Sequence, residues 1–177
     1  MANKCLIIAG QGVEDSEFFY PYYRMQEEGY AVDVITHNDK DITGKYDMPI
    51  SPTKKIADIA IAEYKLIIIP GGHEGPDRVR QVQPILDIVL QHEQNGGVTA
   101  SVCHGPWVLV SAKAIKGKRA TCYKGCKDDL INAGVLWEDK PVVVDGKLIT
   151  AQHFRDNAEW MAKVIAVLHE TNATDAK

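Results

Sequence analysis

The chain has 177 residues, which at ~150 residues per domain is enough for one domain and too few for two. With 45% hydrophobic and 25% charged residues it can build a substantial core. Twenty Lys and Arg against twenty-four Asp and Glu leave a formal charge of -4, which argues against nucleic acid or an anionic membrane surface as a partner. Apolar runs such as Leu66 to Ile69 fall far short of the ~18 residues a membrane span needs. The opening Met1-Ala2-Asn3-Lys4 leads into an apolar stretch too short for a signal peptide, so a cytoplasmic protein is expected. In a chain this rich in core residues, Cys5, Cys103, Cys122 and Cys126 read as thiols rather than as a disulfide framework.

Short β-branched runs bounded by glycine alternate with amphipathic stretches, which predicts a doubly wound, mostly parallel sheet covered by helices on both faces. Lys4 to Ala9 is the first strand. A helix then starts near Ser16 and ends at Gly29, with Pro21 expected in its first turns, where a missing N–H matters least. Ala31 to Thr36 is the second strand. Asp39 to Pro52 reads as an excursion outside the repeating unit, a small hairpin or edge strand. Tyr64 to Ile69 is almost continuously apolar and belongs at the centre of the sheet. Val79, Val82, Leu86, Val89 and Leu90 recur at helical spacing up to Asn95-Gly96-Gly97. Val98 to Val102 is a further strand, followed by helices over Trp107 to Ile115 and Lys127 to Ala133. Val142 to Ile149 folds around Asp145-Gly146, a hairpin signal. A last helix carries Trp160, Met161, Val164, Ile165 and Leu168, and from about Glu170 to Lys177 a polar tail is expected to fray. No repeat or linker divides the sequence, so residues 1–177 form one domain.

Ser101-Val102-Cys103-His104-Gly105 lies where a strand turns directly into a helix, the context of a nucleophile elbow. A sulfur at the amino end of a helix is expected to have a lowered pKa. Pro70-Gly71-Gly72-His73-Glu74-Gly75 follows the central strand at the same edge of the sheet, where ligand crevices form. Backbone N–H groups near Gly72 and at His104 could hold a developing oxyanion there. Glu14-Asp15-Ser16-Glu17 follows the first strand. Acids at a helix start act as caps, yet one cap does not account for three carboxylates, and one packed beside Cys103 could serve as general acid or base. Cys122 and Cys126, four apart with no further ligands, make a weak metal site, so neither metal nor cofactor is expected. His37, His92 and His169 read as surface or core histidines. Trp107, next to the elbow, either lines the pocket or packs in the core.

These three pieces, in this order, resemble the superfamily that contains the PfpI intracellular peptidase and the parkinsonism-associated deglycase. The likeness is nearest to the PfpI branch in Ala100-Ser101-Val102-Cys103-His104-Gly105-Pro106 and in Lys127-Asp128-Asp129-Leu130-Ile131-Asn132-Ala133-Gly134-Val135. Val143-Val144-Asp145-Gly146 and Trp160-Met161 extend it towards the carboxyl end. The resemblance implies a three-layer, flavodoxin-like fold with Cys103 as nucleophile. It makes Glu17, four positions before Pro21, the acid that meets the thiol, ahead of Glu14. It implies that His104 completes a Cys-His pair, oriented by an acid from the loop after Gly72 on a neighbouring subunit. Here that acid would be Asp77 or Glu74, and the working form a homo-oligomer, a dimer or hexamer. Tyr123 stands where the deglycase branch has a His. A glutamine amidotransferase would need a late His-x-Glu, which His153-Phe154-Arg155 does not supply.

Three activities are implied for this one site. The first is conversion of a reactive dicarbonyl such as methylglyoxal to lactate, or repair of glycated amines, with Glu17 moving a proton between carbons. The second is a cysteine peptidase with His104 as base. The third is a redox-sensing stress protein or chaperone without catalysis. The first is preferred, because a carboxyl beside a thiol suits proton transfer next to a carbonyl, and its partner is a small aldehyde or glycated substrate.

Overall fold

The structure is a computed structural model that describes residues 3–175. Its main sheet has six strands in the order β2-β1-β5-β6-β10-β9, where β1 is Lys4–Ala9, β2 is Ala31–Thr36, β5 is Leu66–Ile69, β6 is Val98–Val102, β9 is Val142–Asp145 and β10 is Leu148–Ala151. All neighbouring strands are parallel except β9, which pairs antiparallel with β10 at one edge. The chain leaves β1 for β2 on one side and returns to β5 on the other. That places a topological switch point between β1 and β5, where open α/β sheets bind their ligands.

Strand alternation divides the core in two. Cys5, Ile7 and Ala9 of β1, with Leu66 and Ile68 of β5, face α1 (Asp15–Glu27) and α6 (Asn157–Asp175), where Phe18, Met25 and Trp160 cover them. Leu6, Ile8, Ile67 and Ile69 face the opposite way, onto Ile85 and Val89 of α3 (Gln83–Gln94) and Val108 and Leu109 of α4 (Pro106–Ser111). Every residue of β5 and β6 is buried, which is why these strands read as unbroken apolar or small-residue runs. Three layers with a mostly parallel sheet were expected, and three are found.

Several boundaries differ from expectation for identifiable reasons. The helical spacing from Val79 to Leu90 belongs to two helices, α2 (Glu74–Val79) and α3, because Val82 leaves the helical region at φ -101° and Pro84 then starts α3. The helix after the elbow stops at Ser111, since Lys113 takes the left-handed conformation at φ 58°. Pro21 lies in the second turn of α1, past the first turn in which a missing N–H costs nothing, so the Glu17 carbonyl lacks its i+4 donor. The β9–β10 turn centres on Gly146-Lys147, one residue later than the dipeptide signal, with Asp145 paired to Leu148. The polar segment from Glu170 continues α6 as far as Asp175, and Lys177 lies outside the described residues, as do Met1 and Ala2. α5 (Lys127–Asn132) and a small parallel pair of β7 (Arg119–Ala120) and β8 (Leu136–Trp137) complete that side. No described helix is long and apolar enough to cross a membrane.

The Asp39 to Pro52 excursion does form a hairpin, β3 (Ile42–Thr43) with β4 (Pro49–Ile50). It does not stand apart from the repeating unit. The Gly12 N–H donates to the Thr43 carbonyl at 2.8 Å and the Lys45 N–H to the Val13 carbonyl at 2.8 Å, so the hairpin is tied over the carboxyl end of β1.

That end of β1 is packed backbone to backbone. A Cβ built on Gly10 would stand 2.2 Å from the Gly75 carbonyl oxygen, whereas one on Gly29 would touch nothing within 4 Å and meet only the strain of φ 78°. Gly10→Ala is therefore expected to cost about 2–3 kcal/mol in urea unfolding, and Gly29→Ala about 1 kcal/mol. Equal losses at the two positions would contradict this packing.

Candidate functional site

Three neighbouring strands, β1, β5 and β6, end at one edge, and each delivers one piece of the site. Cys103 directly follows β6 with φ 59°, the left-handed conformation that a non-glycine residue adopts only when its surroundings force it. The forcing bonds are visible. The Cys103 N–H donates to the Ala151 carbonyl at 3.0 Å, and its own carbonyl accepts from the Tyr123 N–H at 2.9 Å. Gly105 leaves no room for a side chain, since a Cβ there would sit 2.4 Å from the Ile69 carbonyl oxygen. The elbow read from the sequence is present.

Glu17 comes from the first turn of α1 and is fully buried. Its Oε2 accepts from the Gly71 N–H at 2.8 Å, while Oε1 has no hydrogen-bond partner among the described side chains and backbone groups. The carboxyl and the Cys103 thiol interact directly. Gly71 has to be glycine here, because a Cβ would stand 2.5 Å from both the Cys103 Cβ and Glu17 Oε2. Burial pushes the Glu17 carboxyl from 4.5 up to about 8, against the pull of the Gly71 N–H. It is protonated at neutral pH.

The surplus of acids is explained by three separate tasks, none of which is capping α1. Glu14 takes the position before the helix without a side-chain cap bond. Its carboxylate accepts from Ser16 Oγ at 3.2 Å and lies 3.7 Å from Lys45 Nζ. Asp15 accepts the Tyr46 N–H at 2.9 Å through Oδ2, holding the β3–β4 hairpin, and Glu17 meets the thiol. The choice of Glu17 over Glu14 therefore agrees with the geometry.

One expectation is reversed. The Cys103 thiol is raised from 9.0 to about 12, chiefly by burial and then by the adjacent Glu17 carboxylate. The Gly72 and His104 N–H groups both reach the sulfur and pull downwards, as the proposed oxyanion donors should, but they are outweighed. α4 is a six-residue helix beginning three residues after the sulfur, too short and too distant to dominate. Much of the upward pressure from Glu17 exists only while that carboxyl is ionised, so the two groups compete for one negative charge.

His104 does meet the sulfur, with Nδ1 3.2 Å from Sγ. Its ring is stacked on Tyr123 at 4.8 Å and packed edge-on against Trp107 at 5.0 Å and His73 at 5.5 Å. Burial, with His73 adding to it, lowers its pKa to about 4, so it is neutral. The two acids expected in a loop after Gly72 lie instead on α2, and neither reaches His104 among the described residues. Glu74 lines the cleft but pairs with Arg78 at 2.6 Å, and Asp77 binds the Gln81 side chain. Trp107 backs His104, with its indole N–H donating to Asp129 at 2.9 Å.

The cleft above Cys103 has a volume of about 690 Å³, and residues the sequence reading did not single out help to line it: Gln11, Lys45, His73 and Phe154. The Gly-Gly run draws attention to His73's neighbours, but only the fold sets its ring edge-on against His104. Lys45 gave no signal, since its hairpin looked like an insertion. Cys5, Cys122 and Cys126 are buried, and burial raises the pKa of all three thiols. Among the described residues no group of His, Cys, Asp and Glu has the arrangement to hold a metal.

The buried acid carries a stability signature. Its value in the folded chain lies above the ordinary 4.5, so the folded state holds an extra proton between about pH 4.5 and 8. Stability is greatest below that window and falls as pH rises through it. Glu17→Gln, which removes the titration, is expected to raise Tm by several degrees at pH 8.5 relative to the parent and by much less at pH 5. A pH-independent difference in thermal melts would contradict a buried, protonated Glu17.

Comparison with known proteins agrees with this geometry. The DJ-1/PfpI family model matches residues 3–167. The chain is 36% identical over 165 residues to the protein named Deglycase PfpI of Pyrococcus furiosus, covering 93% of this chain and 99% of that one. It is 31% identical over 153 residues to a Bacillus subtilis protein provisionally named cysteine protease YraA, covering 86% of this chain and 90% of the other. The crystal structure of Drosophila melanogaster DJ-1beta superposes with a TM-score of 0.87 at 27% identity, covering 96% and 95% of the two chains. A match across nearly the whole sequence, on the fold described above, means that the chain belongs to the DJ-1/PfpI family.

Proposed function

We propose that this protein is a cofactor-independent enzyme that uses Cys103 and Glu17 to convert small dicarbonyls, methylglyoxal among them, to 2-hydroxy acids, or to release glycated amines by the same adduct. The observation that carries this reading is the protonated, fully buried Glu17 carboxyl against the Cys103 thiol. The deglycase name of the Pyrococcus furiosus relative supports it.

The pair loses its first proton near pH 8, giving a state shared between thiol with carboxylate and thiolate with carboxylic acid. In the second form the sulfur adds to the aldehyde carbon. The resulting oxyanion is received by the Gly72 and His104 N–H groups and takes the Glu17 proton, leaving a hemithioacetal and a Glu17 carboxylate. That carboxylate removes the hydrogen from the former aldehyde carbon as a proton and returns it to the neighbouring carbonyl carbon, while the hydroxyl proton on the first carbon passes to the neighbouring oxygen, so that the second carbon becomes the alcohol and the first a thioester. Water then hydrolyses the thioester to a 2-hydroxy acid and restores the thiol. One dicarbonyl and one water give one hydroxy acid, with no net oxidant or reductant. For a glycated amine the sulfur replaces the amine on the carbinol carbon, the C–N bond breaking as the C–S bond forms and the departing amine taking the Glu17 proton, which leaves the same hemithioacetal and Glu17 carboxylate.

The 3.2 Å contact between Cys103 and His104 Nδ1 favours one alternative, a peptidase in which His104 takes the thiol proton. Among the described residues no carboxylate is hydrogen-bonded to His104, so that reading requires Glu74 or Asp77 from a second copy of the chain. A homo-oligomer is proposed on the same ground.

Methylglyoxal and casein assayed side by side separate the two. Lactate formation without proteolysis, lost in Cys103→Ala, is the expected result, and proteolysis lost in that variant would favour the alternative. Glu17→Gln is expected to reduce dicarbonyl turnover on the order of 10²-fold or more while the fold survives. In the parent, kcat/KM is expected to rise about tenfold per pH unit below the Glu17 value of about 8 and to level above it. A flat profile across that range, or an active Glu17→Gln, would remove Glu17 from the chemistry.

A further inference from the structure

Among the described residues Lys45 is the one Lys or Arg lining the Cys103 cleft, and its backbone is fixed there by the hairpin. Its backbone N–H donates to the Val13 carbonyl at 2.8 Å, and Gly12 bonds to Thr43 of the same hairpin. Asp15 accepts the next N–H, that of Tyr46, at 2.9 Å. Gly44, just before it, has to be glycine, since a Cβ would stand 2.2 Å from Asp15 Oδ1. The ammonium lies 5.2 Å from the Tyr46 ring centre and 3.7 Å from Glu14 Oε2, beyond a hydrogen bond. The Glu14 side chain is only 9% exposed whereas that of Lys45 is 55% exposed. Glu14 thus anchors the cation from below and leaves its outer side to the cleft. The positive charge is near enough to Cys103 and Glu17 for their charges to interact. Asp47 and Glu74 also stand on the cleft wall, and Glu74 is paired with Arg78.

From this placement we infer that Lys45 is the residue that receives a carboxylate group of the molecule reacting at Cys103, and that Asp15 positions it by clamping the hairpin. The inference rests on Cys103 as the reacting nucleophile and deepens the reading above. The 2-hydroxy acid formed there carries a carboxylate, and 2-oxo acids with an aldehyde group present one from the start.

The test needs no turnover. Alkylation of Cys103 by iodoacetate, which carries a carboxylate, is compared with alkylation by neutral iodoacetamide, the site being confirmed by mass spectrometry. The ratio of the two rates cancels the thiolate fraction and reports the charge met by the reagent. Lys45→Met is expected to lower the iodoacetate-to-iodoacetamide ratio at least about fivefold at low salt, Lys45→Arg to retain it, and added salt to lower it in the parent. Asp15→Ala is expected to lower it too, although removal of a negative charge alone would raise it. A ratio unchanged in Lys45→Met, or insensitive to salt in the parent, would overturn the assignment of Lys45. A raised ratio in Asp15→Ala would overturn the clamp. Methylglyoxal turnover, measured on the same proteins, reports separately on the dicarbonyl reading.

Discussion

A carboxyl group buried beside a thiol with no cation in direct contact is the constraint around which this site is arranged. Glu17 has no exposed surface and receives one hydrogen bond, from Gly71, so its ionised form is poorly supported and the proton stays. The neighbouring residues have to permit that burial. Gly71 omits the side chain that would strike both Glu17 and Cys103, and the left-handed backbone at Cys103 directs the sulfur into the same space. Pro21 withholds the donor that would complete the helical bond to the Glu17 carbonyl, so the turn bearing the acid is relieved of one regular constraint.

The balance at the sulfur shows how magnitudes, rather than the presence of favourable features, determine a thiol's character. A short helix terminus and two backbone N–H groups each favour the thiolate, and a helix end contributes only ~0.3–1 kcal/mol to a nearby charge. The rise from 9.0 to about 12 corresponds to on the order of 4 kcal/mol in the other direction, caused by burial and then by Glu17. Under the proposed function, attack by the sulfur at neutral pH therefore depends on moving the Glu17 proton, which links the two groups into one titrating unit.

Much of this was legible in the amino-acid sequence because it depends on short-range pattern. β1, β2, β5 and β6 were marked by apolar runs with glycine at their ends, and the elbow by a cysteine at a strand-to-helix junction with Gly105 after it. Glu17 was separable from Glu14 only through the family resemblance, since both are acids at a helix start. What escaped was set by tertiary contact. The break at Val82 has no strong local signal beyond Pro84, and the thiol's raised pKa follows from burial that no residue spacing encodes. The site role of the β3–β4 hairpin depends on bonds from Gly12 and Val13, some thirty residues away. Lys45 and the edge-on contact of His73 with His104 came into view only with those contacts.

The central claim is that Glu17 holds a proton at neutral pH against Cys103, and a direct titration of that carboxyl tests it. Infrared difference spectra between the parent and Glu17→Gln, taken from pH 5 to 10, isolate the Glu17 carboxyl band. The account predicts a protonated carboxylic acid band at pH 6 that converts to carboxylate with a midpoint near pH 8. A Glu17 already ionised at pH 6 would contradict it.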